Sequence, residues 1–449
     1  MALFTLPSEL LAIITSLSDT ETLKALRLTN HMLCASATKN LFSTVSLFTE
    51  DISCEAFESI ITHPQLKEYV HKIRLNTVEF ISDPDTDNDE LEPPVKWKEL
   101  LLMLPNIPNL KSVVLRFDKY AAMGGDSWFY PSQSLDYRET ILEWLGTGLV
   151  SLKRPLEELG IQHQQKVTPL SEDLQQVLST LSSLRLNVVH ECDPACTEAE
   201  LEKQEVREFY AHTLSSVWLK PTMGSLRKLS LYSDLYWGFY PKFSLEGVHF
   251  PNLQSLTLGN FSFFEDQQVD WILSHSSTLH ELYLDDCTIL FQVRLSNVEY
   301  YIDDCPVPIS KMKWQTSKHR WGEAWHYHYP RRWNEYFASF ETGLPYLRRF
   351  AIGHNEAWDS GYNELPFEKE LDLRPALMCD RYMKFDSGTG PSHFLDPRGG
   401  GEDREDWPQC DDEDREGLKA LYRKINQQVD CGDFDVGHYE VSDLVEIQY

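Results

Sequence analysis

Three groups of side chains in this chain have types and spacing that metal chemistry could use. Cys192 and Cys196, with His190 just ahead, offer two thiols and an imidazole. A closed zinc site takes four such ligands, and no second Cys pair follows at zinc spacing. Asp83, Asp85, Asp87 and Asp89 alternate as the oxygen ligands of a calcium loop do. Counted from Asp83, that loop requires Gly at its sixth place and Glu at its twelfth, where this chain has Asn88 and Pro94. A solvated acidic loop ending at Pro93-Pro94 is the better account. His326 and His328 alternate within an aromatic-rich stretch, where packing or an interface explains them better than ligation. No Walker loop, dinucleotide glycine fingerprint, HExxH or GxSxG appears. With 70 Asp and Glu residues, pairing any two as acid and base would be arbitrary. The expectation is a protein with no catalytic residues, no cofactor and no metal site.

Composition bounds the elements that carry these residues. The 449 residues, 42% hydrophobic and 12% aromatic, suffice for a large packed core in one domain or several. No apolar run approaches the roughly 20 residues of a membrane span. The N-terminus lacks a basic region, and Pro7-Ser8-Glu9 interrupts its apolar stretch, so it does not read as a signal peptide. Nine cysteines, an odd number at scattered spacing, fit a reducing compartment, cytosol or nucleus. The formal net charge of −29 opposes a phosphate backbone, so nucleic acid is not the expected main partner. It favours solubility and, where it selects a partner, a basic one.

Near the N-terminus, Leu6, Leu10, Ile13, Ile14 and Leu17 recur at helical spacing. Pro7 suits a first-turn position, where its missing N–H costs nothing. Ser18 and Glu21 have capping-box spacing, so a second helix starts there and carries Leu23, Leu26 and Leu28. Asn30 can cap a third helix with Leu33, Ala37 and Leu41. Three helices this short cannot bury all these leucines alone. Some of that surface must meet the rest of the chain or another protein. The series Leu6-Pro7-x-Glu9-Leu10, Ile13, Leu17, Asp19, Leu23, Leu26-Arg27, Leu33 and Leu41-Phe42 resembles an F-box. The runs ALRLTN and ATKNLF are similar to those of fungal F-box proteins, while Met32 stands where many relatives have a polar or basic residue. The resemblance implies a surface for the Skp-type adaptor of a cullin RING ubiquitin ligase. It assigns that contact to Leu6, Pro7, Leu10, Ile13, Leu17, Leu23 and Leu26. The alternative is an ordinary helical cap over a downstream domain.

Further along, the pattern L-x-x-L-x-L-x-x-N/C-x-L repeats imperfectly. Leu279, Leu282, Leu284, Cys287 and Ile289 match it in full. Copies starting at Leu226, Leu253 and Leu347 match in part, and weaker ones start at Val70, Leu110, Leu156 and Leu181. The starts at 226, 253 and 279 lie 27 and 26 residues apart, inside the period of about 20–29 residues of leucine-rich repeats. Each copy predicts a strand with its leucines in the core and its flanking residues outward. Stacked copies would form an irregular solenoid with a curved parallel sheet. An unrelated α/β domain with several such strands is the alternative. An F-box followed by leucine-rich repeats is a recurring family arrangement, in which the solenoid selects what the adaptor delivers. That resemblance makes the outward positions the candidate target face: Lys72, Arg74, Arg116, Arg185, Lys228, Tyr232, Glu281, Tyr283 and Asp285.

Between Cys305 and Phe340, Trp314, Trp321, Trp325, Tyr327, Tyr329 and Trp333 interleave with Lys311, Lys313, Lys318, Arg320, Arg331 and Arg332. Packing of an inserted lobe is the favoured account. Protein binding anchored by Trp321 and Trp325 comes next, and base stacking last. From about residue 361 a polar, glycine-rich stretch leads to the acidic residues Asp411–Glu416, then Leu418, Leu421 and Ile425. Acid at its start and Arg423-Lys424 near its end suit a helix, ended by Cys431-Gly432, that caps the last repeat. The expected fold is α/β. It has a three-helix F-box (1–45), a helical linker (46–69), a leucine-rich-repeat solenoid (70–360, with the aromatic lobe near 305–340) and an acidic C-terminal cap region (361–449). The expected function is a non-catalytic substrate receptor of an SCF-type ligase, holding the adaptor, through it a cullin, and an unidentified target protein. A leucine-rich-repeat scaffold without ubiquitin transfer is the competing class, and no membrane partner is expected.

Overall fold

In a computed structural model of the chain, the described residues are 7–29, 31–78, 91–118, 133–165, 171–189, 204–296, 305–316, 323–355, 373–387, 393–395 and 407–428. Leu6, Asn30, the acidic loop at Asp83–Asp89, His190 with Cys192 and Cys196, Lys318, Arg320, Trp321, the glycine-rich stretch and Cys431-Gly432 lie outside them. The chain forms an α/β protein in which three N-terminal helices precede parallel strands alternating with helices. It divides into two compact units, residues 1–123 with 127–183, and 124–126 with 184–449.

The first unit opens with α1 (Ser8–Ser16), α2 (Thr20–Thr29) and α3 (His31–Leu41). Pro7 sits at the N-cap of α1, one place ahead of the first turn. Asp19 caps α2 in place of Ser18: its carboxylate accepts the Thr22 N–H at 2.7 Å, while the Ser18 hydroxyl donates to the Ile14 carbonyl. That N-cap bond holds the Asp19 carboxyl below its ordinary value. The helices share a small core of Leu11, Leu23, Leu33 and Ala37. Thr15, fully buried, accepts from Asn40 Nδ2 at 2.8 Å and meets the Ser36 hydroxyl at 2.7 Å, joining α1 to α3.

Strands and helices then alternate: β1 (Thr44–Leu47), α4 (Asp51–Thr62), β2 (Lys72–Asn76), α5 (Val95–Leu102), β3 (Ser112–Arg116), α6 (Leu135–Val150), β4 (Glu158–Gln164) and α7 (Glu172–Leu178). The four strands pair in parallel with apolar rows in register. Val45, Ile73, Val113 and Leu159 form one row, and Leu47, Leu75, Leu115 and Ile161 the next. Every residue of both rows is buried. The ladder thus begins at β1, one strand earlier than the leucine pattern predicts. Helix α6 lies hard against α5, where only glycine fits: a Cβ at Gly148 would sit 2.2 Å from the Leu101 carbonyl oxygen.

In the second unit the same alternation runs through β5 (Ser183–Val188, from Leu184 onward), α8 (Gln204–Glu208) with a π-helical continuation (Phe209–Leu219), β6 (Lys228–Ser233) and β7 (Ser255–Gly259). Next come β8 (Ser262–Phe263), α9 (Asp266–Leu273), β9 (Glu281–Asp285), β10 (Thr288–Leu295), β11 (Lys313–Thr316), β12 (Glu323–His328), α10 (Trp333–Gly343) and β13 (Arg349–His354). Strands β6, β7, β9 and β13 pair in parallel, aligning Leu229, Leu256, Leu282 and Phe350, then Leu231, Leu258, Leu284 and Ile352. These leucines are buried, as the repeat requires. The short β14 (Arg374–Pro375) pairs antiparallel with β13.

A second sheet was not foreseen. Together with β15 (Tyr382–Asp386) and β16 (Phe394–Leu395), it has the order β11-β12-β10-β15-β16. The pairing is mixed: β10–β15 is parallel, and β10–β12 and β11–β12 are antiparallel. The expected aromatic lobe therefore supplies two strands of a sheet and helix α10. The last described helix, α11 (Asp411–Lys424), is pinned by Asp414, which is fully buried. Asp414 accepts from the Asn334 N–H, the Tyr382 hydroxyl and Arg381 Nε. Just beyond α11, the Gln427 side-chain amide donates to the Phe350 carbonyl at 2.8 Å and accepts its N–H at 2.9 Å. It satisfies the edge of β13 as a further strand would.

Candidate functional site

Each N-terminal helix keeps some apolar side chains in the core and others exposed. On α1, Leu11 and Thr15 turn into the core, while Leu10, Ile13 and Leu17 are 45, 53 and 83% exposed. At about 100° per residue, those three fall within a stripe about 60° wide. Leu28 on α2 is 89% exposed and Met32 on α3 is 50% exposed. Among the described residues, ten large apolar side chains are exposed, and five of them lie between Leu10 and Met32. A helix cluster with its own core has no internal reason to keep that much apolar surface in water. Pro7 is exposed at the head of α1 and Leu26 is half-buried. Leu23, expected at the same surface, is 6% exposed and belongs to the core. Leu28 and Met32 take its place on the exposed side. Helical spacing alone did not separate these two faces of α2.

The expected target face is divided: Lys228 is exposed and Lys72, Arg74 and Arg185 are half-buried, while Arg116 is buried. Tyr232, Tyr283 and Asp285 are 4, 4 and 1% exposed, and Ser255 and Thr257 are buried too. Tyr232 lies flat across β7 because Gly259 has no side chain; a Cβ there would sit 1.9 Å from the ring. Its hydroxyl donates to Asp285 Oδ2 at 2.9 Å, and the Asn355 N–H donates to Asp285 Oδ1 at 3.0 Å. Tyr283 packs with Ala351 and Leu373 in a buried cluster. On β6, β7 and β9 these positions, which the repeat pattern leaves to solvent, are therefore covered. Glu281 is only partly covered. On the β11–β12 hairpin, Trp325 is half-buried and stands edge-on to Trp314 at 5.3 Å, with Trp314 itself 49% exposed. Trp314, not assigned as an anchor from sequence, is the more open of the two.

Asp285, Asp286 and His354 bring three potential ligand atoms within 4.8 Å of one another. Burial, then the charge of Asp286, pushes the Asp285 carboxyl well above the usual range. His354 Nδ1 lies 2.6 Å from Asp286 Oδ2. The Tyr232 hydroxyl and the Asn355 N–H already hold the two Asp285 oxygens, and burial disfavours the charged form of this carboxyl, so the trio reads as an internal hydrogen-bond set. The second unit also holds a cleft of about 900 Å³. Phe243, Phe261 and Phe264 line it, with Lys242, Lys311 and Glu265 among its polar groups. Burial raises the Glu265 carboxyl, against the pull of both lysines. Its volume and aromatic lining suit a small ligand or one inserted side chain. No feature of the sequence pointed to it. Burial is the largest cause that pushes the Cys410 thiol up to about 11, away from the thiolate form. No family model matches this chain. A search of curated proteins likewise finds none similar to it.

Proposed function

We propose that this protein is the substrate-recognition subunit of an SCF-type cullin RING ubiquitin ligase. The F-box resemblance supplies the family. The exposure of Leu10, Ile13 and Leu17 along one stripe, with Leu28 and Met32 exposed on α2 and α3, is the observation that carries the reading. Pro7, Leu10, Ile13 and Leu17, joined by Leu28 and Met32 and flanked by the half-buried Leu26, form the surface for the Skp-type adaptor. Association would remove these side chains from water without disturbing the core of Leu11, Leu23, Leu33 and Ala37. Met adapts its shape to a partner surface, so Met32 suits an interface in spite of its departure from the family pattern.

A target would then be held by the second unit. The burial of Tyr232, Tyr283 and Asp285 moves selectivity away from those three positions. It falls to the Trp314–Trp325 hairpin, to Glu281 and to the aromatic cleft, since exposed tryptophans are strong interface anchors. Such a receptor carries out no bond chemistry. It raises the local concentration of target near the recruited conjugating enzyme.

Affinity purification with and without proteasome inhibition tests the proposal. Recovery of adaptor and cullin, with a third protein that accumulates under inhibition, supports the receptor. Adaptor without cullin favours a scaffold that does not ubiquitinate. Recovery of neither removes the F-box reading.

A further inference from the structure

The cleft of about 900 Å³ in the second unit is lined by the segment 242–249, by α9 and by Pro306, Pro308 and Lys311. Phe243, Phe261 and Phe264 give it a buried aromatic floor. Trp237, itself buried, stands behind two of these rings, with centroids 4.9 Å from Phe243 and 4.8 Å from Phe261. Its indole N–H donates to the Gly259 carbonyl at 2.7 Å, which fixes this second layer. Phe239 meets Phe264 edge-on at 5.2 Å. An aromatic surface held from behind in this way accepts a further ring without rearranging.

The polar groups of the lining fall into two sets. Gln268 and Trp271 are engaged within the wall. Gln268 Oε1 accepts the Phe264 and Glu265 N–H groups, and its Nε2 donates to the Ser262 carbonyl. The Trp271 indole N–H donates to the Val248 carbonyl at 2.7 Å. Lys242, Lys311 and Glu265 form the second set, close enough for both lysines to act on the Glu265 carboxyl. Glu265 caps α9 by accepting the Gln268 N–H, which takes one of the roughly four acceptor sites of a carboxylate. The cleft thus sets donors and an acceptor beside an aromatic floor. An amide, which both donates and accepts, uses both kinds of group.

The rim is open on more than one side. Glu246 and His249 on the segment, Gln267 and Asp270 on α9, Ser274 at its end and Lys311 are exposed. A chain can therefore enter and leave the cleft. Its volume stands near the top of the roughly 300–1,000 Å³ of ligand sites, more than a lone ring fills.

We infer that the cleft binds a peptide segment through one aromatic side chain, the ring on the phenylalanine floor and the flanking backbone amides on Lys242, Lys311 and Glu265. This deepens the receptor reading and rests on it for one point, that the segment belongs to the target. Binding of the segment itself requires no adaptor.

The test titrates the full chain, without adaptor, with N-acetyl-L-tryptophanamide, N-acetyl-L-phenylalaninamide, N-acetyl-L-leucinamide and 3-methylindole, followed by saturation-transfer NMR of each probe. Both aromatic amides should bind saturably, about three- to tenfold more tightly than the leucine amide, because ring pairs add to area burial. 3-Methylindole, the ring without the amides, should bind more weakly than the tryptophan amide. Gln267→Trp and Ser274→Trp each bring a ring to the cleft from an exposed position, so a folded variant of either kind should bind the aromatic amides about tenfold more weakly. Leu10→Asp should bind them as the wild type does. A chain that binds the amides and not the adaptor keeps the site and loses the receptor reading; one that binds the adaptor and not the amides loses the site alone. Equal binding of leucine and aromatic amides, 3-methylindole as tight as the tryptophan amide, or unchanged binding in both folded tryptophan variants would overturn the inference.

Discussion

Tyr232 is a residue that sequence and structure assign to different tasks. A buried tyrosine ring contributes much apolar area, but its hydroxyl must find an acceptor, and Asp285 provides one. Tyr232→Phe is therefore expected to lower stability by about 1–3 kcal/mol, because it strips a hydrogen bond from a buried carboxyl, and to leave target binding unchanged. Denaturant midpoints and a target pull-down on the same variant check both halves. Leu282, fully buried in the register row, should cost about 2–5 kcal/mol when cut to Ala, while its partly exposed neighbour Glu281→Ala should stay within about 0.5 kcal/mol. Leucine positions were legible because the strand period forces them to one side. Exposure of Tyr232, Tyr283 and Asp285 was not, because alternation says which side a residue faces and nothing about whether another layer covers that side.

Elements show the same division. Strand β1 follows Phe42-x-x-Val45-x-Leu47, a repeat start hidden by the end of the helical motif that overlaps it. The mixed sheet joins β10 to β15 across some 90 residues, a pairing no local period announces. Helix spacing was better forecast than helix contact. The α5–α6 approach rests on Gly148, so Gly148→Ala should push α6 off the Leu101 carbonyl and cost about 1–3 kcal/mol in a thermal or chemical melt. His275 joins the end of α9 to the segment before β7. Its Nδ1 lies 2.9 Å from the Trp271 carbonyl, and its Nε2 accepts the Phe250 N–H at 3.2 Å. Burial, then the neighbouring His249, lowers it to about 4 from an ordinary 6.5. The unfolded chain therefore binds a proton that the folded one refuses between those values. The stability this imidazole contributes is full above pH 6.5 and falls toward pH 4, by about 3 kcal/mol in all. A His275→Asn variant should lose less stability than the wild type across that window; parallel curves would contradict the assignment.

For the whole molecule, the division of labour is between an N-terminal helix cluster that keeps apolar side chains in water and a second unit rich in aromatic and polar surface features. The cluster was legible in the sequence, since the order of its leucines carries both the helices and the resemblance. The second unit was only partly so, since its mixed sheet exists through long-range pairing. The central claim is adaptor binding, and the most direct measurement is calorimetric titration of a purified Skp-type adaptor into the full chain and into Leu10→Asp and Leu17→Asp. Each side chain is exposed, so both variants should melt as the wild type does. Burying a leucine contributes about 1.5–3 kcal/mol, so each should bind more than tenfold more weakly. A wild-type chain that does not bind the adaptor, or a folded Leu17→Asp chain that binds it unchanged, would contradict the account.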